Sequence, residues 1–358
     1  MRTPLSSAVS SRLSSSSDQV TLLVPGLVWP HQALLDLSHD LPTPSLCTLL
    51  GAGKLTALPG ASAASLLASA VGFSAGYAVA PLRLKALGQP GPDADSPTWL
   101  CLDPVNLGFA DGTLMLNDPD QLDISAEEAE QFAVSLAPTF SAFGELTVAT
   151  PGAWHLRLRE APPEAFTRAR SLQDSIGRRA DESLDPGEIS AEWRQALNEA
   201  QMILHAHPLN QSREAAGRPA VNSVWPWGAG RLTEAGANPH DLVLSNDVAL
   251  RALARQGGAE VGTLPPEWLP GKAKHALIHL DLLEAPTRNR DGLAWREALA
   301  RLESHWFRPL REGLKHGSLN RLVLDMPGET ASFRLELGRT HLWRFWRRAR
   351  PLTCLAAP

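Results

Sequence analysis

The chain has 358 residues, of which 44% are hydrophobic and 20% charged, and this composition is typical of a folded globular protein. The net charge of −5 at pH 7 provides no general positive field, so nucleic acid is not expected as a partner. Three widely spaced cysteines without a CxxC pair argue against a zinc or thiol-redox motif and favour a reducing compartment, so we expect a cytoplasmic protein.

The N-terminal part of the chain predicts a tail, a buried strand and a packed helix. Residues 1–17 are rich in Ser and predict a disordered tail, although arginines without acids would also suit a transit peptide. Residues 20–24 form a short apolar run ended by Pro-Gly, which is typical of a buried strand. Residues 55–82 carry no charge but are mostly small, so they predict a helix followed by a strand rather than a membrane span.

The middle of the chain predicts a second group of strands and helices after a loop-rich boundary at residues 86–98. A helix is expected to begin at Ser125, since Glu128 three residues later completes a capping box. A long loop is predicted over residues 161–189. The other predicted elements are strands at 99–102, 146–149 and 154–158, a hairpin turn at 110–113 and a helix over 191–205.

The C-terminal third predicts three further short strands, at residues 242–244, 276–280 and 321–324, with an amphipathic helix over 295–306 between the last two. Strands that alternate with helices are typical of an α/β fold with a mainly parallel sheet covered by helices. We therefore predict that fold class.

Polar and aromatic residues are concentrated between residues 205 and 231. Arginine presents a planar fork that suits carboxylate or phosphate, and glycine lets the backbone approach a ligand closely. This pattern suits a site for a small anionic ligand. On the residues alone we favour a structural crossover, in which the tryptophans pack in a core and the asparagines fix turns. The predicted ligand-binding residues are Asn210, Arg213, Asn222, Trp225, Trp227, Gly228, Gly230 and Arg231.

Three further polar residues lie where predicted strands end. His279 and Asp281 follow one strand, and Asp325 ends another. Ligand sites in open α/β sheets lie outside the carboxyl ends of the strands. These three residues are therefore the candidates for metal binding or acid–base chemistry.

The segment from 341 to 350 is basic and aromatic and has two interpretations. It is a candidate for contacting nucleic acid or an acidic partner, such as a regulatory protein. Alternatively, it is a terminal helix that buries Trp343 and Trp346 and leaves its arginines in solvent.

The 205–231 segment resembles a pattern of archaeal-type cofactor-independent phosphoglycerate mutases, HPxNxxRxxxGxxxANxxWxxGxG. Residues 103–113, 124–128 and 151–158 are also similar to those enzymes. More closely, the chain resembles the RpfE-type regulatory proteins of bacteria over residues 20–351. The residues that match the first pattern are His207, Pro208, Asn210, Arg213, Gly217, Asn222, Trp225, Gly228 and Gly230.

The resemblance implies an alkaline-phosphatase-like α/β core, made of residues 18–98 and 232–358. It also implies a smaller inserted α+β domain over residues 99–231, which includes the crossover segment. The mutases of this family use two divalent metals and a serine that is transiently phosphorylated, and such chemistry needs several Asp and His ligands.

This sequence departs from the family pattern at the metal ligands. The enzymes end their first strand with Asp-Gly, whereas residues 24–27 here are Val-Pro-Gly-Leu. Their DEAGH-like motif corresponds to residues 281–286, which lack Gly-His, and their Asp-His-Pro corresponds to residues 325–327, Asp-Met-Pro. Losing several ligands together removes the affinity for two metals.

We therefore expect a catalytically degenerate regulatory protein without a cofactor, and no catalytic residue is assigned. One alternative is an active metal-dependent phosphomutase or phosphohydrolase, in which His279, Asp281 and Asp325 hold Mn or Zn. Another is a protein-interaction module that acts through the C-terminal segment.

Overall fold

The computed structural model of the chain describes residues 17–73, 78–89, 98–110, 112–169, 171–183, 186–232, 237–343 and 347–356. The strands in these residues are β1 (Ser17–Leu23), β2 (Lys54–Ala61), β3 (Trp99–Val105), β4 (Leu107–Ala110), β5 (Thr113–Leu116), β6 (Gly144–Thr150), β7 (Ala153–Leu158), β8 (Ser223–Gly230), β9 (Leu242–Leu244), β10 (Glu260–Gly262), β11 (His275–His279), β12 (Leu319–Met326) and β13 (Gly328–Gly338).

The helices in the same residues are α1 (His31–Ser38), α2 (Pro44–Ala52), α3 (Ala63–Ala70), α4 (Val79–Ala86), α5 (Ala126–Phe140), α6 (Glu164–Arg168), α7 (Leu172–Ser175), α8 (Ala180–Ser183), α9 (Ala191–Ala206), α10 (Pro208–Ala215), α11 (Val248–Gln256), α12 (Glu284–Arg288), α13 (Gly292–Leu302), α14 (Arg308–His316) and α15 (Arg339–Leu342). A π-helical turn, Glu303–Phe307, joins α13 to α14.

The larger sheet has seven strands in the order β10-β9-β11-β1-β12-β13-β2. The five strands from β10 to β12 are parallel, whereas β13 and β2 are antiparallel additions at one edge. Leu23 at the end of β1 is in register with His279 on one side and Asp325 on the other. The carboxyl ends of three strands therefore lie level with one another.

Both faces of the seven-stranded sheet are covered by helices. Val20 and Leu22 belong to the main core, which includes Trp295 of α13 and Leu310 of α14. Leu23 points to the other face and packs in a second cluster with residues of α3 and α11. Such strands are buried on both sides, which explains the short apolar run at residues 20–24. The predicted α/β fold with a mainly parallel, helix-covered sheet is confirmed.

A second, antiparallel sheet contains four strands in the order β6-β7-β3-β8. One face packs against α5 and α9 through a cluster that includes Phe132, Trp154 and Trp193. The opposite face, which carries Trp225 and Trp227, packs against α4. The strands of this sheet come from residues 99–230, and those of the larger sheet come from residues 17–61 and 242–338. The domain boundaries themselves stay predictions.

The charge-free stretch forms its elements in a different order from the prediction. A strand, β2, comes first and the helices α3 and α4 follow, whereas we expected a helix and then a strand. Within the described residues β2 pairs with β13 alone, at the edge of the sheet. Edge strands tolerate Pro59, which lacks a backbone N–H, so the proline did not exclude a strand here. The long loop predicted over 161–189 contains α6, α7 and α8.

The capping box at the start of α5 forms as predicted, since Ser125 accepts from Glu128 N and the Glu128 side chain accepts from Ser125 N. Several other predictions lie outside the described residues: almost all of the N-terminal tail, most of the 86–98 boundary, Asp111 in the hairpin turn and Trp346. No helix in the described part of the chain combines the length and hydrophobicity needed to cross a membrane.

The start of α2 is capped from a distant part of the chain by Glu303. The two carboxylate oxygens of Glu303 accept hydrogen bonds from Ser45 N, at 2.7 Å, and Leu46 N, at 3.0 Å. Glu303 is 8% exposed, and Thr43 at the N-cap makes no side-chain cap of its own. The carboxylate therefore satisfies amide groups that a helix leaves unpaired and faces the positive end of the helix dipole.

We expect Glu303→Ala to lower the free energy of unfolding by about 2 kcal/mol, because two amides lose a charged acceptor. Denaturant unfolding monitored by circular dichroism measures this change. Glu297→Ala, which removes an exposed glutamate from α13, is the matched control and is expected to change stability by less than about 0.5 kcal/mol. Equal effects of the two substitutions would contradict the capping role.

Candidate functional site

The carboxyl ends of the parallel strands bring together polar side chains from β9, β11 and β12. His279 is the last residue of β11, and Asp325 lies near the end of β12. Ser245 follows β9, which pairs with β11. This edge is where an open α/β sheet binds ligands, so we took it as the candidate site.

Asp325 is held by an arginine on the neighbouring strand. Arg334 of β13 lies opposite Asp325 in register and donates Nε to Oδ1 at 2.6 Å and Nη2 to Oδ2 at 2.9 Å. The hydrogen bonds and the charge of Asp325 raise the pKa of Arg334 above its ordinary value. A bidentate pair of this kind satisfies both carboxylate oxygens and balances their charge with a guanidinium.

His279 is buried and engaged through both ring nitrogens. Nδ1 lies 3.1 Å from Ser245 Oγ, and Nε2 lies 2.9 Å from Glu284 Oε1. Ser245 is fully buried and its oxygen also accepts from Asp247 N at 3.0 Å. The hydrogen-bonded series Ser245–His279–Glu284 therefore links the ends of β9 and β11. The partly exposed Glu284 side chain forms its solvent end.

Asp281 lies two residues beyond His279 and accepts hydrogen bonds from Asn246 Nδ2, at 3.2 and 3.4 Å. Its side chain therefore pairs with the loop after β9. Among the residues that the structure describes, no three His, Cys, Asp or Glu side chains are grouped closely enough to hold a metal ion.

The donor set at this edge does not fit a pair of divalent metals. Both oxygens of Asp325 are bonded by Arg334, and both nitrogens of His279 are bonded by protein groups. A histidine ligand must present a free ring nitrogen to the ion, which His279 lacks here. The oxygens of Asp325 keep further lone pairs, but the guanidinium beside them repels a cation. The residue directly after the first strand is Val24, which has no ligand atom in its side chain.

Asn210 and Arg213, both predicted to bind a ligand, are buried and bonded to backbone. Asn210 Nδ2 donates to Leu204 O and Val221 O, and Asn210 Oδ1 accepts from Val221 N. Arg213 is 1% exposed and donates Nε to Pro219 O at 2.9 Å.

The other guanidinium nitrogens of Arg213 also bond protein groups. Nη1 donates to Glu128 Oε2 at 2.7 Å, and Nη2 donates to Leu122 O. Arg218 bonds the same carboxylate, so Glu128 joins two arginines to the start of α5. Burial opposes the charge of Glu128, but its bonds to Ser125 N and the two arginines lower its pKa overall. These contacts match the structural alternative stated for this segment.

Apart from Arg231, the remaining predicted residues of the segment pack against other segments of the same chain. Asn222 exchanges two hydrogen bonds of 2.8 Å with the backbone of Leu107. Trp225 and Trp227 are buried against α4. Arg231 is exposed just beyond the end of β8. Binding of an anion by this set stays a prediction.

Gly228 and Gly230 are needed for contact with the start of α4. Their φ angles are +63° and +153°, values that favour glycine. A Cβ on Gly228 would lie 2.9 Å from Val79 Cβ, and one on Gly230 would lie 2.6 Å from Ala78 Cβ. The two glycines therefore allow β8 to approach the start of α4 closely, which is a packing contact and not a contact with a ligand.

A buried polar network on the four-stranded sheet was missed by the sequence analysis. Asp103 of β3 is fully buried and pairs bidentately with Arg83 of α4, at 2.5 and 2.7 Å. It also accepts from Trp154 N at 3.1 Å and from Trp227 Nε1 at 2.8 Å. Burial acts to lower the pKa of Arg83, but the charge of Asp103 raises it overall. With four bonds, Asp103 is saturated and fastens α4 to the sheet.

A signal for this network is present in the sequence. Asp103 is a charged residue inside an otherwise apolar, fully buried strand, and a buried carboxylate requires a cation. The partner was not identifiable, because Arg83 lies 20 residues away beyond a loop-rich boundary.

His155 completes the network and is held neutral. Arg83 Nε donates to His155 Nε2 at 3.1 Å, and His155 Nδ1 is buried. Burial, and then the charge of Arg83, lower the pKa of His155 from 6.5 to about 2. The unfolded state therefore binds a proton at mildly acidic pH that the folded state does not.

We expect this difference in proton binding to lower the free energy of unfolding as the pH falls below about 6.5. The loss should be about 1.4 kcal/mol for each pH unit, down to about pH 3. His155→Gln keeps an acceptor for Arg83 but does not titrate, so the stability advantage of the wild type over this variant should shrink with falling pH. Denaturant unfolding at several pH values measures it. His205→Gln, at an exposed position, is the control, and a parallel pH dependence of wild type and H155Q would contradict the assignment.

Comparison with known proteins finds no matching family model and no matching curated protein. Solved structures similar to this chain include the cofactor-independent phosphoglycerate mutase from Thermoplasma acidophilum DSM 1728, with 14% identity over 90% of each chain and a TM-score of 0.44. They also include the PH0037 protein from Pyrococcus horikoshii, with 14% identity over 90% of this chain and 88% of that one and a TM-score of 0.48.

Proposed function

We propose that this chain is a catalytically degenerate, phosphoglycerate-mutase-like regulatory protein of the cytoplasm. The observation that carries the proposal is the pairing of the strand-end groups with one another. Arg334 supplies the positive charge beside Asp325, and His279 is enclosed by Ser245 and Glu284. The residues that match the mutase pattern, such as Asn210 and Arg213, lie away from these strand ends. Their side chains bond the backbone and hold the fold together.

The metal content of the purified protein tests this proposal. The full chain is expressed with Mn, Zn and Mg supplied, analysed for bound elements and assayed for phosphoglycerate mutase activity. We expect neither stoichiometric metal nor turnover. One or two tightly bound Mn or Zn ions per chain, lost in Asp325→Asn, would overturn the proposal in favour of the active phosphomutase or phosphohydrolase.

A small phosphorylated metabolite is the ligand that we propose for the regulatory role, and Arg231 is the exposed cation of the predicted segment. Titration with 3-phosphoglycerate should raise the thermal midpoint of the wild type by mass action. The effect should be lost in Arg231→Ala and kept in Arg255→Ala, which removes an exposed arginine from α11. No shift for the wild type would remove this ligand class.

The interaction module is a second candidate, favoured by the exposure of Trp343. The prediction that a terminal helix buries this side chain is wrong: α15 ends at Leu342, and Trp343 is 73% exposed. An exposed tryptophan among arginines is typical of a contact surface, because these residue types dominate binding energy at interfaces.

A further inference from the structure

The C-terminal basic surface consists of Arg339, Trp343, Arg347, Arg348 and Arg350. All five residues are exposed. Between Arg339 and Arg350 the sequence contains no Asp or Glu. Among the described residues, neither Arg348 nor Arg350 forms an ion pair. The surface therefore combines uncompensated positive charge with a large exposed aromatic ring.

The backbone beneath this surface is fixed to α2. Gly51 allows the chain to lie directly on the helix, because a Cβ there would come within 2.2 Å of Arg348 O. Arg350 N donates to Cys47 O at 3.0 Å. Beyond it, Leu352 and Leu355 are buried in the main core. The arginine side chains are thus displayed from an ordered segment, which limits the entropy lost on binding.

The other members of the surface lie on the same side of the molecule. Arg347 Nη1 donates to the carbonyls of Ala52, at 3.0 Å, and Gly53, at 3.2 Å, which end α2. α15, which begins with Arg339, packs against both α2 and α14. The Arg339 guanidinium lies over Gly317 at the end of α14. Cations at the carboxyl ends of two helices are stabilised there by the helix dipoles.

We propose that the C-terminal basic surface binds an acidic protein segment that places an apolar side chain on Trp343. Charge complementarity argues for an acidic partner, and the exposed indole of Trp343 provides an apolar anchor. The chain as a whole carries a net charge of −5 and therefore lacks the general positive field on which nucleic-acid binding depends. The proposal names a partner for the regulatory role and so rests on the proposed function.

The test uses the full chain and a fluorescein-labelled peptide of twelve glutamates with one central leucine. Fluorescence anisotropy should show binding that weakens with added salt, because exposed charges are screened. Trp343→Ala and the double substitution Arg348→Ala/Arg350→Ala should each lower the affinity at least tenfold. These residues are exposed, so the thermal midpoint should not change. The control Arg255→Ala/Arg301→Ala removes two exposed charges elsewhere and should bind like the wild type.

Two comparisons decide the partner class. The wild type should bind a peptide without the leucine more weakly than the leucine peptide. Trp343→Ala should bind the two peptides equally. Tighter binding of a twelve-nucleotide poly-deoxythymidine than of the peptide would overturn the proposal in favour of nucleic acid, and no binding of the leucine peptide would also overturn it. Either failure leaves the proposed function standing if the protein remains metal-free and inactive.

Discussion

Replacing Arg83 with methionine should lower the free energy of unfolding by about 3–5 kcal/mol, because it leaves the buried carboxylate of Asp103 without its cation. Arg83 provides two of the four hydrogen bonds to that carboxylate and one to His155. Methionine retains much of the side-chain volume, so the loss reports the missing charge. Urea unfolding followed by tryptophan fluorescence measures it.

The double substitution Arg83→Met/Asp103→Leu distinguishes an ion pair from simple packing. Removing both charges relieves the unpaired carboxylate, so the double variant should be more stable than Arg83→Met alone. Arg157→Met, at an exposed position on the same sheet, should change stability by less than about 0.5 kcal/mol. A double variant less stable than either single variant would contradict the interpretation of Arg83 and Asp103 as an ion pair.

Arg213→Met should also destabilise the protein strongly, by about 3–4 kcal/mol, without any ligand present. The substitution leaves the carbonyls of Leu122 and Pro219 without a donor and removes one of two arginines from Glu128. Thermal and urea unfolding of the ligand-free protein measure the change. This outcome would assign Arg213 a structural role, although its side chain alone suggested an anion site.

Arg218→Ala is the matched comparison for this prediction, since Arg218 bonds the same carboxylate but its side chain is 37% exposed. We expect a loss of about 1 kcal/mol or less for this partly solvated pair. If Arg213→Met proved as stable as the wild type but lost binding of 3-phosphoglycerate, the structural assignment would be wrong and the ligand-binding prediction would be correct.

Local patterns in the sequence were sufficient for features whose partners lie nearby along the chain. The capping box needs only Ser125 and Glu128, three residues apart, and the two bonds form as predicted. The apolar run at residues 20–24 indicated a buried strand, and the alternation of strands with helices implied a covered, mainly parallel sheet. These inferences hold because helix and strand periodicity depends on neighbouring residues.

The same reasoning failed where two interpretations of a segment have similar local chemistry. Small uncharged residues around Pro59 suit a helix or an edge strand, and only pairing with β13 selected the strand. Trp343 suits a buried helix as well as a surface, and the structure leaves its side chain 73% exposed just after the end of α15. In both cases the competing states differ in contacts with distant residues.

Fold class and the positions of most strands could be predicted from local sequence patterns. The use of the polar groups could not, because it depends on contacts between distant segments. The tertiary structure pairs Asp325 with Arg334 across two strands and encloses Arg213 among Glu128 and two carbonyls. The physical reason is that a charged side chain acts through the groups that surround it, and those groups come from segments far apart in the chain.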